Sequence, residues 1–215
     1  HRDLHYPLRR QRQMCIRDSY FMNNEIVAHN DLKIRVEENF FDSNESNEFL
    51  NRLIENLPWE SMMIKMFGKN LKIPRLQCWI GDEGCDYKYS GKMLNRQNWN
   101  KELMIIREKI FQETKIDFNS VLANYYRDGK DSMGWHSDDE KELGPNPTIA
   151  SISFGSERNL HFRNKITKET ISIPQTHGCL IVIDGRTQKN WQHAIKKTQK
   201  IIGPRINLTF RNIIA

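Results

Sequence analysis

A histidine and an aspartate two residues apart, His136 and Asp138, are the first pair in this sequence that could bind a metal ion. In an extended segment, residues i and i+2 point to the same side, so this imidazole and this carboxylate converge. A third ligand must come from a distant segment, and the best candidate is His193, on a short apolar stretch after a turn. Two imidazoles and one carboxylate form the facial triad of non-haem Fe(II) oxygenases, which leaves positions open for a cosubstrate and dioxygen.

The assignment of the third ligand has an alternative. A His-x-Asp pair is common by chance, and His193 read alone is more typical of a histidine packed in a β-strand than of a metal ligand. The chain also offers five other histidines, namely His1, His5, His29, His161 and His177. The choice of His193 therefore depends on the residues that follow it.

The segment Arg205–Arg211 alternates apolar and polar residues, which predicts a β-strand. Its polar side carries Arg205, Asn207, Thr209 and Arg211. If this side faced solvent, Lys or Glu would be equally suitable at the two Arg positions. The planar fork of Arg instead pairs bidentately with a carboxylate. Because six residues of strand span roughly 20 Å, two Arg leaning inward can hold both ends of a small diacid. Two further side chains at i and i+2, Asn124 and Tyr126, can add neutral hydrogen bonds.

The net charge of +6 is unevenly distributed over the 215 residues. Residues 1–21 contain five Arg and two Asp, so half of the net charge lies there. This stretch has no apolar periodicity and no signal-peptide pattern, and we interpret it as a disordered or non-native extension. A basic arm for nucleic acid is the alternative. The remainder, residues 22–215, is long enough for one domain with a substantial core.

The cysteine pattern indicates an intracellular protein. Four cysteines lie far apart without a Cys-x-x-Cys pair or a secretion signal, which is typical of reduced thiols. No segment approaches the roughly 20 apolar residues of a membrane helix, so we expect no membrane partner. We also expect a monomer. The location would be cytoplasmic in a bacterium and nuclear in a eukaryote.

Hydrophobic periodicity predicts helices in the N-terminal part of the chain and strands in the C-terminal part. Ser43 is a candidate N-cap for a helix that Pro58 ends, and a second helix is predicted near residues 98–114. Short strands separated by Gly, Pro, Asn and Asp turns follow. These strands are predicted at 121–126, 148–154, 160–163, 170–173, 179–183, 192–195 and 205–211. The pattern predicts an α+β fold, with a double-sheet core of the jelly-roll type buttressed by N-terminal helices.

The order and spacing of several motifs resemble those of the AlkB family of Fe(II)- and 2-oxoglutarate-dependent nucleic-acid dealkylases, closest to the homologues that repair duplex DNA. The resemblance covers about residues 58–213. The motifs are Asn124-Tyr125-Tyr126-Arg127-Asp128-Gly129, Gly134-Trp135-His136-Ser137-Asp138-Asp139-Glu140, Ile152-Ser153-Phe154-Gly155, Phe162-Arg163, His177-Gly178, Trp191-Gln192-His193 and Pro204-Arg205 through Arg211. The resemblance implies a double-stranded β-helix with a catalytic core at about 120–213 and a nucleotide-recognition lid at about 62–95.

The resemblance also implies roles for the residues singled out above. It implies that His136, Asp138 and His193 bind Fe(II), and that 2-oxoglutarate and dioxygen are cosubstrates. The implied 2-oxoglutarate contacts are Asn124, Tyr126, Arg205, Asn207 and Arg211, and Thr209 shares their strand face. By family analogy Arg205 binds the distal carboxylate, and Arg211 lies nearer the end that chelates iron.

Substrate contacts are implied in the lid and beside the metal motif. Met66-Phe67-Gly68-Lys69 resembles an apolar finger that intercalates into duplex DNA, and the alternative for Phe67 is a buried hairpin residue. The implied contacts to the flipped base and its surroundings are Phe67, Arg75, Tyr87, Tyr89, Ser90, Asp139 and Glu140. Asp139 and Glu140 match residues that contact the exocyclic amine of a lesion, and their alternative is a solvated acidic loop.

The activity that the resemblance implies is oxidative dealkylation of N-alkylated bases in DNA, such as 1-methyladenine and 3-methylcytosine. Decarboxylation of 2-oxoglutarate would be coupled to hydroxylation of the methyl group and release of formaldehyde. The partner would be alkylated DNA, with duplex favoured over single strands. Two alternatives stay open: an RNA demethylase or protein hydroxylase of the same superfamily, and a lesion-binding module without catalysis.

Phe67→Ala should reduce repair of a methylated duplex more than repair of the same strand alone. An inserted apolar wedge offsets the few kcal/mol lost when the base leaves the stack, and a single strand needs less unstacking. Initial rates on matched duplex and single-stranded oligonucleotides measure the difference. Equal losses on both substrates would argue against an intercalating role.

Overall fold

The computed structural model describes residues 14–15, 25–29, 31–66, 68–86, 88–89 and 92–214. The helices are α1 (Ser43–Asn56), α2 (Lys101–Thr114) and α3 (Thr187–Asn190), with a 3-10 turn at Lys141–Leu143. The strands are β1 (Met14–Cys15), β2 (Glu25–His29), β3 (Leu32–Glu37), β4 (Met63–Met66), β5 (Lys69–Lys72), β6 (Leu76–Gly81), β7 (Lys88–Tyr89), β8 (Lys92–Met93), β9 (Arg96–Gln97), β10 (Ser120–Tyr126), β11 (Met133–His136), β12 (Ile149–Gly155), β13 (Arg158–Asn164), β14 (Thr170–Gln175), β15 (Cys179–Ile183), β16 (Trp191–Ile195) and β17 (Arg205–Arg211).

Two sheets form the core. The larger sheet has the strand order β2-β3-β15-β12-β17-β10-β6-β9, and the smaller has the order β1-β14-β13-β16-β11. The last eight strands of the chain, β10 to β17, divide equally between the sheets and place four antiparallel strands in each. The chain changes sheet after every strand except β13, which pairs with the next strand, β14. This is the double-stranded β-helix, or jelly roll, predicted from the sequence. The prediction of the fold class is confirmed.

Both faces of β17 are buried, so its polar side does not face solvent. The apolar residues Ile206, Leu208 and Phe210 pack with buried residues of α1 and α2, such as Leu53 and Ile106, on the helix side of the large sheet. The polar residues between them point to the opposite face by the period of two. That face lies towards the interior between the two sheets.

The predicted helices exist, but the cap of the first one was predicted wrongly. Ser43 is its first helical residue, and Asp42 is the N-cap. The Asp42 carboxylate accepts from the backbone N–H groups of Asn44 and Glu45, while Glu45 reaches back to the Asp42 N–H, which forms a complete capping box. The second helix begins at Lys101 after the N-cap Asn100 and ends at Thr114.

The lid predicted from the family resemblance contains two small hairpins. In the first, β4 and β5 pair from Met63–Lys72 to Met66–Lys69, and Gly68 in the turn has φ +76°. A positive φ of this size favours glycine. In the second, Tyr89 of β7 pairs with Lys92 of β8. The predicted contacts Phe67, Tyr87 and Ser90 lie outside the described residues.

The predicted basic extension is described only at Met14 and Cys15. These two residues form β1, which pairs parallel with Ile171 and Ser172 at the edge of the small sheet. The boundary near residue 21 and the division into lid and core therefore stay predictions. Within the described part of the chain, none of the helices has the length and apolar character needed to span a membrane.

Candidate active site

The three predicted metal ligands come together at one end of the small sheet. His136 of β11 stands directly opposite His193 of β16, and their ring centroids are 4.1 Å apart. Asp138 follows β11 by two residues, and its Oδ2 lies 3.6 Å from His193 Nε2. One ligand atom from each of the three residues lies within 4.8 Å of the others. The strand register therefore creates the cluster that the sequence predicted.

Asp138 is held so that one of its carboxylate oxygens is available to bind a metal ion. Arg211 Nη2 donates to Oδ1 at 2.6 Å, and both side chains are 3% exposed. The backbone N–H of Asp138 donates to Gln188 Oε1 at 3.0 Å. Oδ2 is buried and accepts no hydrogen bond from the residues that the structure describes. A buried carboxylate oxygen without a partner is costly, and a metal ion at this position would satisfy it.

The protonation states of the cluster match those that metal binding needs. Burial alone would raise the pKa of Asp138, but Arg211 and the two imidazoles hold this pKa at about 2. Burial and the neighbouring His136 lower the pKa of His193 to about 3. Burial also lowers the pKa of His136. At neutral pH the site consists of one carboxylate and two neutral imidazoles, as metal coordination requires.

The tautomer of His136 follows from its hydrogen bond. Its Nδ1 lies 2.9 Å from the carbonyl oxygen of Gly134. Since a carbonyl can only accept, Nδ1 carries the proton and Nε2 keeps its lone pair. This is the arrangement in which a backbone group orients a metal-binding histidine. The donor set and its surroundings fit a divalent metal ion.

A cavity lies between the two sheets beside this cluster. Its volume is about 420 Å³ when the space at its open entrance is included. Its walls combine apolar residues with a row of neutral polar groups and the ligand cluster. The polar groups are Asn124, Tyr126, Ser151, Asn207 and Thr209, and the metal cluster and Arg211 complete the polar lining. The structure thus brings five of the six predicted 2-oxoglutarate contacts to one cavity with the three metal ligands.

Arg205, the sixth contact, is a buried cation at the end of β17 away from Arg211. It is 1% exposed, and its Nη2 donates to Ser153 Oγ at 2.8 Å and to Gln175 Oε1. Burial lowers its pKa to about 10, so it stays protonated at neutral pH. Across the described ranges no carboxylate forms an ion pair with it, and Nε and Nη1 have no hydrogen-bond partner there. A guanidinium in this environment fits an anionic ligand.

The two arginines of β17 differ in the structure, although the sequence presents them as a pair. Arg211 is engaged with Asp138, and Arg205 pairs with no acidic side chain in the described part of the chain. Direct contact between Arg211 and a diacid stays a prediction. Its observed contact fixes a metal ligand, and this agrees with the expected position near the iron.

Arg75 is 3% exposed and donates from Nε to Asn124 Oδ1 at 2.7 Å. It therefore orients a residue of the cavity wall, and its predicted contact with substrate stays a prediction. Asp139 is exposed and lies 3.4 Å from Lys165 Nζ, whereas Glu140 directly precedes the 3-10 turn. The predicted roles of these two acids in selecting a base likewise stay predictions.

Four polar residues of the site were not predicted as site residues from the sequence. Ser151, Ser153 and Gln175 contact Asn207 or Arg205, and Gln188 contacts Asp138. Ser151 and Ser153 alternate with Ala150, Ile152 and Phe154 on β12, a signal that could have indicated a polar inner face. Gln188 lies on a helix of four residues, too short for a periodic signal.

Metal-free protein should become less stable as the pH falls from about 6.5 to about 4. The pKa values of His161 and His193 are about 4 and about 3 in the folded protein, against an unfolded value of about 6.5. In this window the unfolded chain binds protons that the folded protein excludes. The free energy of unfolding should fall by about 1.4 kcal/mol per pH unit for each such histidine.

Denaturant unfolding with a chelator present, repeated across this pH range, measures the slope. His161→Asn should give a shallower slope, because one titrating group is then absent from both states. A free energy of unfolding that stays constant between pH 6.5 and 4 would contradict the depressed pKa values.

Comparison with known proteins places this geometry in a family. A family model described as the 2OG-Fe(II) oxygenase superfamily matches residues 33–211. Alpha-ketoglutarate-dependent dioxygenase alkB homolog 3 of Mus musculus is 38% identical over 184 residues, which cover 81% of this chain and 64% of that protein. DNA oxidative demethylase ALKBH2 of Homo sapiens is 38% identical over 159 residues, which cover 70% of this chain and 61% of that protein. The chain thus spans less than two thirds of either relative.

The solved structures support the fold. OsALKBH1 superimposes with a TM-score of 0.61 at 11% identity, over 90% of this chain and 100% of that one. The description of the matching family names Fe(II) and 2-oxoglutarate, the cofactor and one of the two cosubstrates predicted from the sequence. The predicted resemblance to AlkB proteins is confirmed by the two relatives. The chain belongs to the 2OG-Fe(II) oxygenase superfamily.

Proposed function

We propose that this protein removes alkyl groups from N-alkylated bases in DNA, such as 1-methyladenine and 3-methylcytosine, by oxidation coupled to decarboxylation of 2-oxoglutarate. The observation that carries the proposal is the single interior between the sheets that holds both the His-Asp-His cluster and the buried cation Arg205. A metal ion and a diacid together need these two features. The printed names of the relatives, a dioxygenase and a DNA oxidative demethylase, support the choice of reaction and substrate.

His136, Asp138 and His193 would hold the Fe(II) ion. When bound, Fe(II) with 2-oxoglutarate and dioxygen supplies the oxidation of the N-alkyl carbon, which leaves as formaldehyde. Asp138 contributes the buried Oδ2, and Arg211 keeps its other oxygen occupied. Because only His136 of the three is partly exposed, the cluster faces the outside on the side of β11.

The polar row of the cavity would bind 2-oxoglutarate. Arg205 is suited to the distal carboxylate because its guanidinium is cationic and its Nε and Nη1 have no hydrogen-bond partner in the described residues. Asn124, Tyr126, Asn207 and Thr209 offer neutral donors and acceptors along the way to the metal cluster. Apolar side chains of the same cavity, including Met133 and Leu160, would exclude water from the bound diacid.

We propose that the acidic residues beside the metal motif and the residues of the lid select the base. A base methylated at N1 of adenine or N3 of cytosine carries a positive charge, which a nearby carboxylate favours. Asp139, with its exposed side chain, and Glu140 follow the ligand Asp138 directly in sequence. We propose that Arg75, Tyr87, Tyr89 and Ser90 complete the pocket for the flipped base and that Phe67 fills the gap in the stack.

The setting of the protein is also a proposal. We propose that it acts as a monomer inside the cell, on duplex DNA before single strands, in the cytoplasm of a bacterium or the nucleus of a eukaryote. The test below separates this proposal from an RNA demethylase and from a lesion-binding module without catalysis. A protein hydroxylase is the alternative that stays if neither DNA nor RNA is repaired.

The test is incubation of Fe(II)-loaded protein with 2-oxoglutarate and oligonucleotides carrying 1-methyladenine or 3-methylcytosine. Restored base, succinate and formaldehyde should form in equal amounts on DNA. Asp138→Ala should reduce turnover to background, because it removes one of the three metal ligands. Base analysis by mass spectrometry and succinate assay measure both halves of the reaction.

Glu48→Ala is a suitable control, since the exposed Glu48 pairs with Arg52 on α1, does not line the cavity, and its loss should leave full activity. Repair of methylated RNA without repair of DNA would favour the RNA alternative. Binding of methylated DNA without release of succinate would favour the lesion-binding module. An intact iron-loaded protein that repairs neither lesion would contradict the proposal.

A further inference from the structure

The short helix α3 is fixed between two parts of the fold. On one side, the Lys33 N–H donates to Thr187 Oγ1 at 3.0 Å and Asn190 Nδ2 donates to Asp31 Oδ2 at 3.2 Å. On the other side, Gln188 Oε1 accepts from the backbone N–H of Asp138 at 3.0 Å. The helix therefore connects the start of β3 to the loop that carries a metal ligand.

The orientation of the Gln188 amide is determined by its partner. The Asp138 N–H is a donor, so the amide oxygen and not the amide nitrogen must face it. Gln188 is 2% exposed, and its Nε2 has no acceptor among the described side chains and backbone groups. A buried donor without a partner destabilises the fold, and an apolar side chain of similar size would avoid this cost. Packing alone therefore does not account for a glutamine here.

Three contacts together fix the conformation of the metal loop. Gln188 holds the Asp138 backbone, and Arg211 holds the Asp138 Oδ1. One residue earlier, Ser137 Oγ donates to the carbonyl oxygen of Trp191 at 3.0 Å. With the backbone and one oxygen fixed, Oδ2 is left in its place 3.6 Å from His193 Nε2. Metal affinity is sensitive to such placement, because coordination distances tolerate only small errors.

We infer that Gln188 is a positioning residue for the metal site: its amide oxygen holds the backbone of Asp138 in the conformation that binds metal. The inference rests on the metal site of the proposed function and is independent of the substrate. Gln188 touches neither the metal position nor the other two ligands through any contact that the structure describes. It acts through Asp138 alone.

The test is titration of metal-free protein with Co(II), without 2-oxoglutarate or DNA. Calorimetry and the visible absorption of the bound ion both measure the binding. Gln188→Met keeps the length of the side chain and removes the amide acceptor. It should lower Co(II) affinity about 10-fold or more, the usual effect of losing an outer-shell partner, and change the absorption spectrum. Gln188→Glu keeps an acceptor oxygen in the same place and should restore most of the affinity.

Asn190→Ala is the matched control. It removes an amide from the same helix whose partner is Asp31 and not Asp138, so Co(II) affinity should stay at the wild-type value. Thermal unfolding without metal shows whether each variant is folded.

Three outcomes would overturn the inference. They are wild-type affinity in Gln188→Met, equal losses in Gln188→Met and Gln188→Glu, and a matching loss in Asn190→Ala. Failure of the wild-type protein to bind Co(II) would overturn the metal site as well. Normal Co(II) binding combined with inactivity on alkylated DNA would overturn only the proposed substrate.

Discussion

The cost of burying charge is the constraint on which this structure depends. The interior between the sheets holds the cations Arg205 and Arg211, and the carboxylate of Asp138 is the acid paired with one of them. A buried charge is tolerated only when it is paired or hydrogen-bonded. Arg205 has neutral partners in Ser153 and Gln175 and no acid in the described chain. The protein therefore maintains a cationic interior that an anionic ligand would stabilise, and a metal ion would in turn satisfy Asp138.

The fold makes this interior by giving β17 two buried faces. Its apolar residues pack under α1 and α2, while its polar residues point between the sheets. The neighbouring strands extend the polar row, since Asn207 stands opposite Asn124 on β10 and Ser153 on β12. The small sheet closes the space and aligns His136 with His193. A shift of one residue in either register would turn these side chains to the other face and destroy the site.

Local patterns in the sequence were sufficient for seven of the strands, whereas the metal triad also needed the context of Arg205–Arg211 and the family resemblance. Each of the seven predicted strands exists with ends shifted by two residues at most, because alternation and turn residues are local signals. The N-cap was wrong by one residue, although Asp42 and Glu45 have the spacing of a capping box. The strand β11, the hairpin β2–β3 and the contacts of Gln175 and Gln188 were missed. The strand β11 and the two glutamine contacts depend on pairings between residues far apart in the chain, such as Asp138 with Gln188, and a single sequence does not reveal such register. The hairpin β2–β3 is a local pairing, and the alternation of Leu32, Ile34 and Val36 is a signal that could have predicted it.

In the proposed function one 2-oxoglutarate molecule contacts both the metal cluster and Arg205. Anaerobic calorimetry can measure its binding to wild-type protein and to Gln175→Glu, each with and without Co(II). Tight binding is expected only to the metal-loaded wild type. In Gln175→Glu the new carboxylate would pair with Arg205 in place of the ligand, and Co(II) binding should persist. Equal affinity for 2-oxoglutarate in all four samples would contradict the account.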